Sequence, residues 1–395
     1  MSAIGHALSL AWSMTWEILW ALILGFALSA VVQAVVRRET IVQLLGDDRP
    51  RTLALAAGLG AASSSCSYAA VALARSLFRK GANFTAAMAF EIASTNLVIE
   101  LGIILALLLG WQFTVAEFVG GPIMIVALAV LFRLVLRRRL LGPRLLDAAR
   151  EQAERGLAGS MEGHAAMDMS VQRAGSFWRR LFSGDALTSV SQVFVMEWAA
   201  IWKDLVGGLL IAGAIGAWVP DTFWQTVFLA DHPTAAALWG PLVGPLVAVL
   251  SFVCSIGNVP LAVVLWTGGI SFGGVVAFIF ADLIILPILN IYRRYYGTRM
   301  AVVLAGTFYA TAALAGYAVE TIFGALGAIP DRGGAHMPDE AISWNYTTWL
   351  NIAFLALAAV LVVRFVRTGG RPMLAMMGGA PEQHGSGHTG HAADS

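Results

Sequence analysis

Stretches of about 20 predominantly apolar residues carry a helix across the hydrocarbon core of a bilayer. Such stretches recur along this chain at 14–36, 83–109, 114–136, 198–219, 270–291, 300–324 and 346–366. Two further apolar stretches, 52–74 and 240–267, are broken by Gly, Ser and Pro, residues that interrupt helices. The pattern predicts an all-α polytopic membrane protein.

Charge decides how the two interrupted stretches are treated. The longest polar segment, 137–197, carries Arg137, Arg138, Arg139, Arg144, Arg150, Arg155, Arg173, Arg179 and Arg180. Positive segments stay on the cytoplasmic side. If both interrupted stretches crossed fully, Arg37 to Arg51 would lie outside while Arg75 to Lys80 lay inside. If each instead enters and turns back as a re-entrant hairpin, all five basic clusters fall inside. The outer segments then carry Asp221, Asp231, Asp331, Asp339 and Glu340 with a single Arg332. Half-helices of about 11 residues reach roughly 16 Å, about half the core. Seven full spans and two re-entrant hairpins are therefore expected, with the N-terminus outside and the C-terminus cytoplasmic.

The two hairpins resemble each other. Cys66-Ser67 and Cys254-Ser255 match at an offset of 188 residues, as do Leu73 with Leu261, Gly81 with Gly269, Phe84 with Phe272, and Ala89-Phe90 with Ala277-Phe278. Ser94 falls opposite Asp282. Each copy holds one span, a hairpin and two more spans. Three crossings put the second copy on the opposite face, so two inverted-topology repeats are predicted, the architecture of many secondary transporters. The expected organisation is repeat 1 at 1–136, a cytoplasmic loop at 137–197, repeat 2 at 198–325, a final extra span at 346–366 and a His-containing tail at 367–395.

Composition narrows the class. Charged residues are 12% of the chain, about half the share of a soluble domain, so lipid replaces water around much of the surface. The net charge of +1 gives a nucleic-acid partner no electrostatic support. The expected partners are membrane lipid and a small solute. Two cysteines do not make the disulfide framework of a secreted domain. Met1 to Met14 lacks the basic region and cleavage site of a signal peptide. No Gly-x-x-x-x-Gly-Lys-Ser/Thr pattern appears, so ATP coupling within this chain is not expected, and no cofactor is.

The candidate chemistry sits at the breaks. Ser64, Ser65, Cys66 and Ser67 line the first, and Cys254, Ser255 and Asn258 the second. Hydroxyls and half-helix N-termini hold polar or anionic solutes at such sites, and the sulfurs suit thiophilic metals or metalloids. A buried cysteine is also a small hydrophobe, and that reading stands beside the first. Polar residues inside spans are costly and face a bundle interior. Glu91, Ser94, Thr95, Asn96 and Glu100 lie in 83–109, with Glu91 and Thr95 on one helical face. Glu91 and Asp282 are the proton-coupling candidates, with a structural carboxylate as the plain alternative. Thr95 and Asn96 join the substrate-binding set. Glu197, Lys203 and Asp204 read as interfacial anchors at a helix start. In the loop, His164, Met167 and Met169 form a soft-metal vocabulary without a strong motif.

The segment from Cys254 through Asp282 and Pro287 to Gly297 resembles the predicted-permease family, which includes ArsP-type efflux permeases for trivalent organoarsenicals. The first cysteine hairpin resembles the family's other one. The resemblance implies an inner-membrane permease without its own ATPase domain. It implies thiol-seeking arsenicals or related soft metal species as solutes, with Cys66 and Cys254 as the positions of interest. Where many members have Ala-Thr-Pro-Ala-Thr-Asn, this chain reads from Glu91 to Asn96 with the proline missing and an acidic residue added.

The leading reading is thus a secondary permease exporting a thiophilic metal or metalloid species by alternating access, and not an enzyme. A permease for another small solute, with packing cysteines, is the first rival. An intramembrane thiol oxidoreductase is the second, although such enzymes use closely spaced Cys-x-x-Cys pairs that this chain lacks.

Overall fold

A computed structural model describes residues 3–35, 44–64, 67–79, 81–136, 142–154, 183–218, 226–229, 232–251, 255–332, 344 and 346–370. Among these residues there are no strands. The helices are α1 (Ala3–Val35), α2 (Pro50–Ser63), α3 (Ser67–Arg79), α4 (Phe84–Asn96), α5 (Ile99–Leu108), α6 (Trp111–Leu136) and α7 (Gly142–Glu154). After them come α8 (Gly184–Trp218), α9 (Pro233–Ser251), α10 (Ser255–Thr267), α11 (Phe272–Phe280), α12 (Leu286–Tyr296), α13 (Thr298–Ala325) and α14 (Tyr346–Arg367). A single 3₁₀ turn, Asp282–Ile284, separates α11 from α12.

Four helical stretches among the described residues are long and apolar enough to cross a membrane: Trp111–Val135, Pro233–Leu250, Thr298–Ala325 and Thr347–Arg367. The bent pair α4 and α5 makes a fifth if taken as one span. With α1 and α8, at 33 and 35 residues, long enough to exceed the core, this is a polytopic helical membrane protein. Its outer faces are apolar: Val126, Leu238, Leu250 and Val360 are all exposed.

Several boundaries differ from the sequence expectation. The stretch 83–109 is not one continuous helix. It breaks after Asn96, and α5 leaves α4 at 40°. Ser94 Oγ turns back onto the Glu91 carbonyl at 2.9 Å and Thr95 Oγ1 onto that of Ile92 at 3.1 Å. Such back-bonding competes with helix continuation. The stretch 270–291 breaks as well, at the 3₁₀ turn, where Ile285 is extended and Pro287 lies in the first turn of α12. α8 begins at Gly184 rather than near 198, so Glu197, Lys203 and Asp204 fall within the helix and not at its start. The arms flanking the two interruptions are 14 and 13 residues in α2 and α3, and 19 and 13 in α9 and α10. All are longer than expected, and α9 reaches the length of a crossing helix on its own.

The two halves share detail at the offset of 188. α3, described from Ser67, ends at Arg79, and α10, described from Ser255, ends at Thr267. Each is followed by a glycine at φ +112°, Gly81 and Gly269, a value that favours glycine. The same backbone bonds close both turns: Gly81 N to Phe78 O (3.1 Å) and Ala82 N to Leu77 O (3.0 Å), against Gly269 N to Trp266 O and Ile270 N to Leu265 O (both 3.2 Å). The next helix is then capped in both halves. Asn83 Oδ1 accepts from Thr85 N at 2.9 Å, and Ser271 Oγ accepts from Gly274 N at 3.1 Å.

Packing against these capped helices relies on small residues, the means by which helices approach closely in lipid. α2 lies on α4 and α9 on α11. A Cβ on Gly60 would collide with the Phe90 carbonyl oxygen, and one on Gly244 with that of Gly274. α6 and α13 pack together between the halves, and α1 pairs with α8.

Candidate functional site

The two broken helices place their polar ends together in the interior. Asp282, the first residue of the 3₁₀ turn, is completely buried. Its Oδ2 accepts from Ser67 Oγ at 2.6 Å, and its Oδ1 accepts from Asn96 Nδ2 at 3.5 Å. Ser67 opens α3, and Asn96 closes α4. The break in the second half is therefore held by donors from both breaks of the first. One turn and a half back on α4, buried Glu91 accepts a hydrogen bond from the Tyr292 hydroxyl of α12. Asp282 also lies within electrostatic reach of Glu91 and of Glu117 of α6.

The residues nominated from the sequence sort as follows. Glu91, Asn96, Asp282 and Ser67 come together. Thr95 is buried beside them, but its hydroxyl is used on its own helix. Ser64 is buried just before the first cysteine, in a left-handed conformation at φ +38°, with its amide on the Gly60 carbonyl at 3.2 Å. Its hydroxyl has no partner among the described residues. Asn258 is fully buried on α10, two residues before Pro260. Ser255 opens α10, and its side chain is not described. Ser65, Cys66, Cys254, His164, Met167 and Met169 lie outside the described residues. Among the described residues no group of three or more His, Cys, Asp or Glu is arranged to hold a metal ion.

Sequence reasoning missed Tyr292 and Glu117. Tyr292 is among the largest fully buried side chains, yet in sequence it belongs to a Tyr/Arg cluster that reads as interfacial. Glu117 is the sole carboxylate of the stretch 114–136, and that isolation was the available signal. It missed Glu320 as well, which accepts from the Gly273 amide at the start of α11.

Toward the basic side, a cavity of about 490 Å³ lies over the Gly81 turn and the start of α4, lined by Asn83, Thr85, Arg133, Asp147 and Arg150 among others. Arg133 is paired there with Asp48 at 2.9 Å. Asn96 is one 13-residue helix away, about 20 Å along α4.

A bundle of apolar-faced helices that buries carboxylates where two broken helices meet defines a polytopic membrane protein with a polar centre, the class to which transporters belong. The comparisons agree. Residues 3–321 match the family model described as "Predicted permease", and the chain belongs to that family. It is 73% identical over 382 residues to the Mycobacterium tuberculosis protein named "Putative permease Rv2963", covering 97% of this chain and 93% of that one. No solved structure matches the chain at a significant level. At this level the protein is a membrane transporter.

Proposed function

We propose that this permease is a secondary transporter that exports thiophilic metal or metalloid species, trivalent organoarsenicals among them, from the cytoplasm across the inner membrane. The solute meets Cys66 and Cys254 where two inverted repeats face each other. One repeat rocks against the other to alternate access, and Glu91 and Asp282 carry the coupling proton. The observation that carries this reading is the hydrogen bond from Ser67, the residue after Cys66, to Asp282 at the break of the other half. The turns repeated at an offset of 188 support a two-repeat construction. An odd number of crossings in each half inverts the second.

The test is a double replacement, Cys66→Ser with Cys254→Ser, in arsenical-sensitive bacteria. Protection against a trivalent methylarsenical is expected to fall to that of cells lacking the permease. Unchanged efflux of every soft metal species by the double variant removes the thiol mechanism. A permease for another small solute, with cysteines that only pack, is supported by the buried hydroxyl, amide and carboxylate of Ser67, Asn96 and Asp282. Screening anions and metal ions in proteoliposomes separates the two.

A further inference from the structure

We propose that Glu117 is a proton-binding site of this permease, taking up and releasing the proton that the two helix breaks exchange with either side. The proposal deepens the secondary-transport reading and rests on it for its role in the cycle.

Three observations carry it. Glu117 is completely buried, and neither of its carboxyl oxygens has a hydrogen-bond partner among the described residues. Three other interior carboxyls are engaged: Asp282 by Ser67 and Asn96, Glu91 by Tyr292, and Glu320 by the Gly273 amide. A fully ionised carboxylate without donors in a buried interior is strongly destabilising.

The second observation is position. One turn further along α6, Gly121 packs on Leu97 at the first break, and Gly120 on Phe280 at the second, so closely that a Cβ on Gly120 would lie 2.8 Å from the Phe280 ring. Residues three and four apart share a helix face, so Glu117 lies on the face of α6 that both breaks touch. Movement at either break changes its surroundings directly.

The third is the charge environment. Asp282 lies within electrostatic reach of Glu117. The other ionisable groups on elements packed against α6 are Glu91 on α4, Glu100 on α5, Arg299, Tyr309, Tyr317 and Glu320 on α13, and Arg144, Asp147, Arg150, Glu151 and Glu154 on α7, towards its other end. α11 contributes none. Among the described residues the acceptors are not gathered around a point that would hold a metal ion. A proton, which needs one oxygen only, is the cation that fits. It binds by forming an O–H bond at Glu117 in one state, and in the other that bond breaks and the proton passes to water. No electron is transferred.

Infrared difference spectroscopy of the full-length protein in lipid, titrated with pH, tests this without any transported solute. The wild type is expected to show a protonated-carboxyl C=O band that shifts in deuterated water. Glu117→Gln should lose one such band, and Glu117→Asp should keep it at a shifted position. A full set of bands in Glu117→Gln, no protonated carboxyl in the wild type, or a band that responds to sodium replacing choline instead of to pH overturns the proposal. In proteoliposomes, Glu117→Gln should lose stimulation of methylarsenical transport by a pH gradient. If the wild type carries no methylarsenical, the proposed substrate falls, and the infrared result still decides Glu117.

Discussion

Ser67 Oγ donates to Asp282 Oδ2 at 2.6 Å, joining residues 215 positions apart, one at the start of α3 and the other at the break after α11. Both side chains are fully buried, so water does not substitute for the bond. Hydrogen bonds to charged groups contribute about 1.5–3 kcal/mol. Ser67→Ala is expected to destabilise the permease by about that amount. Combined with Asp282→Asn it should be clearly non-additive, because the two groups interact directly. Unfolding in a detergent titration measures the cycle, and strict additivity would show that the pair does not interact.

Gly58 and Gly60 lie on the same helix, two residues apart. A Cβ on Gly58 meets nothing within 4 Å, whereas one on Gly60 meets the Phe90 backbone and the Ala93 side chain. Gly60→Ala is expected to cost about 1–3 kcal/mol by overpacking. Gly58→Ala should stabilise by about 0.5–1 kcal/mol through the higher helix propensity of alanine. Thermal unfolding of the two variants side by side is the measurement. Equal effects would mean that α2 does not rest on α4 as described.

Gly81 and Gly269 share φ +112° and the same pair of closing backbone bonds. Alanine at either is strained by about 1–3 kcal/mol. The two single variants should therefore lose similar thermal stability. A large penalty at one and none at the other would count against equivalent turns in the two halves.

The first interruption was legible because the sequence marks it. Gly and Ser cluster there, and α2 ends at Ser63 with Ser64 left-handed. The breaks at Asn96 and at the 3₁₀ turn were not. Hydropathy stays high through 83–109, and 83–109 contains no proline to announce a stop. What ends α4 is the run Ser94, Thr95 and Asn96, whose side chains bond to the helix backbone or to Asp282. That last bond is tertiary, so a single segment cannot reveal it. Glu91 and Asp282 were recognisable as intramembrane carboxylates. Their partners Tyr292 and Ser67 depend on how two distant halves dock.

The docking at Asp282 bears on how such a chain can be divided. A cut in the stretch between Glu154 and Gly184 would leave Ser67 and Asn96 on one fragment and Asp282 on the other. Neither piece could complete the shell around that carboxylate by itself. Co-produced fragments would have to reassemble before either was sound, and a gene split there would have to keep both products in step.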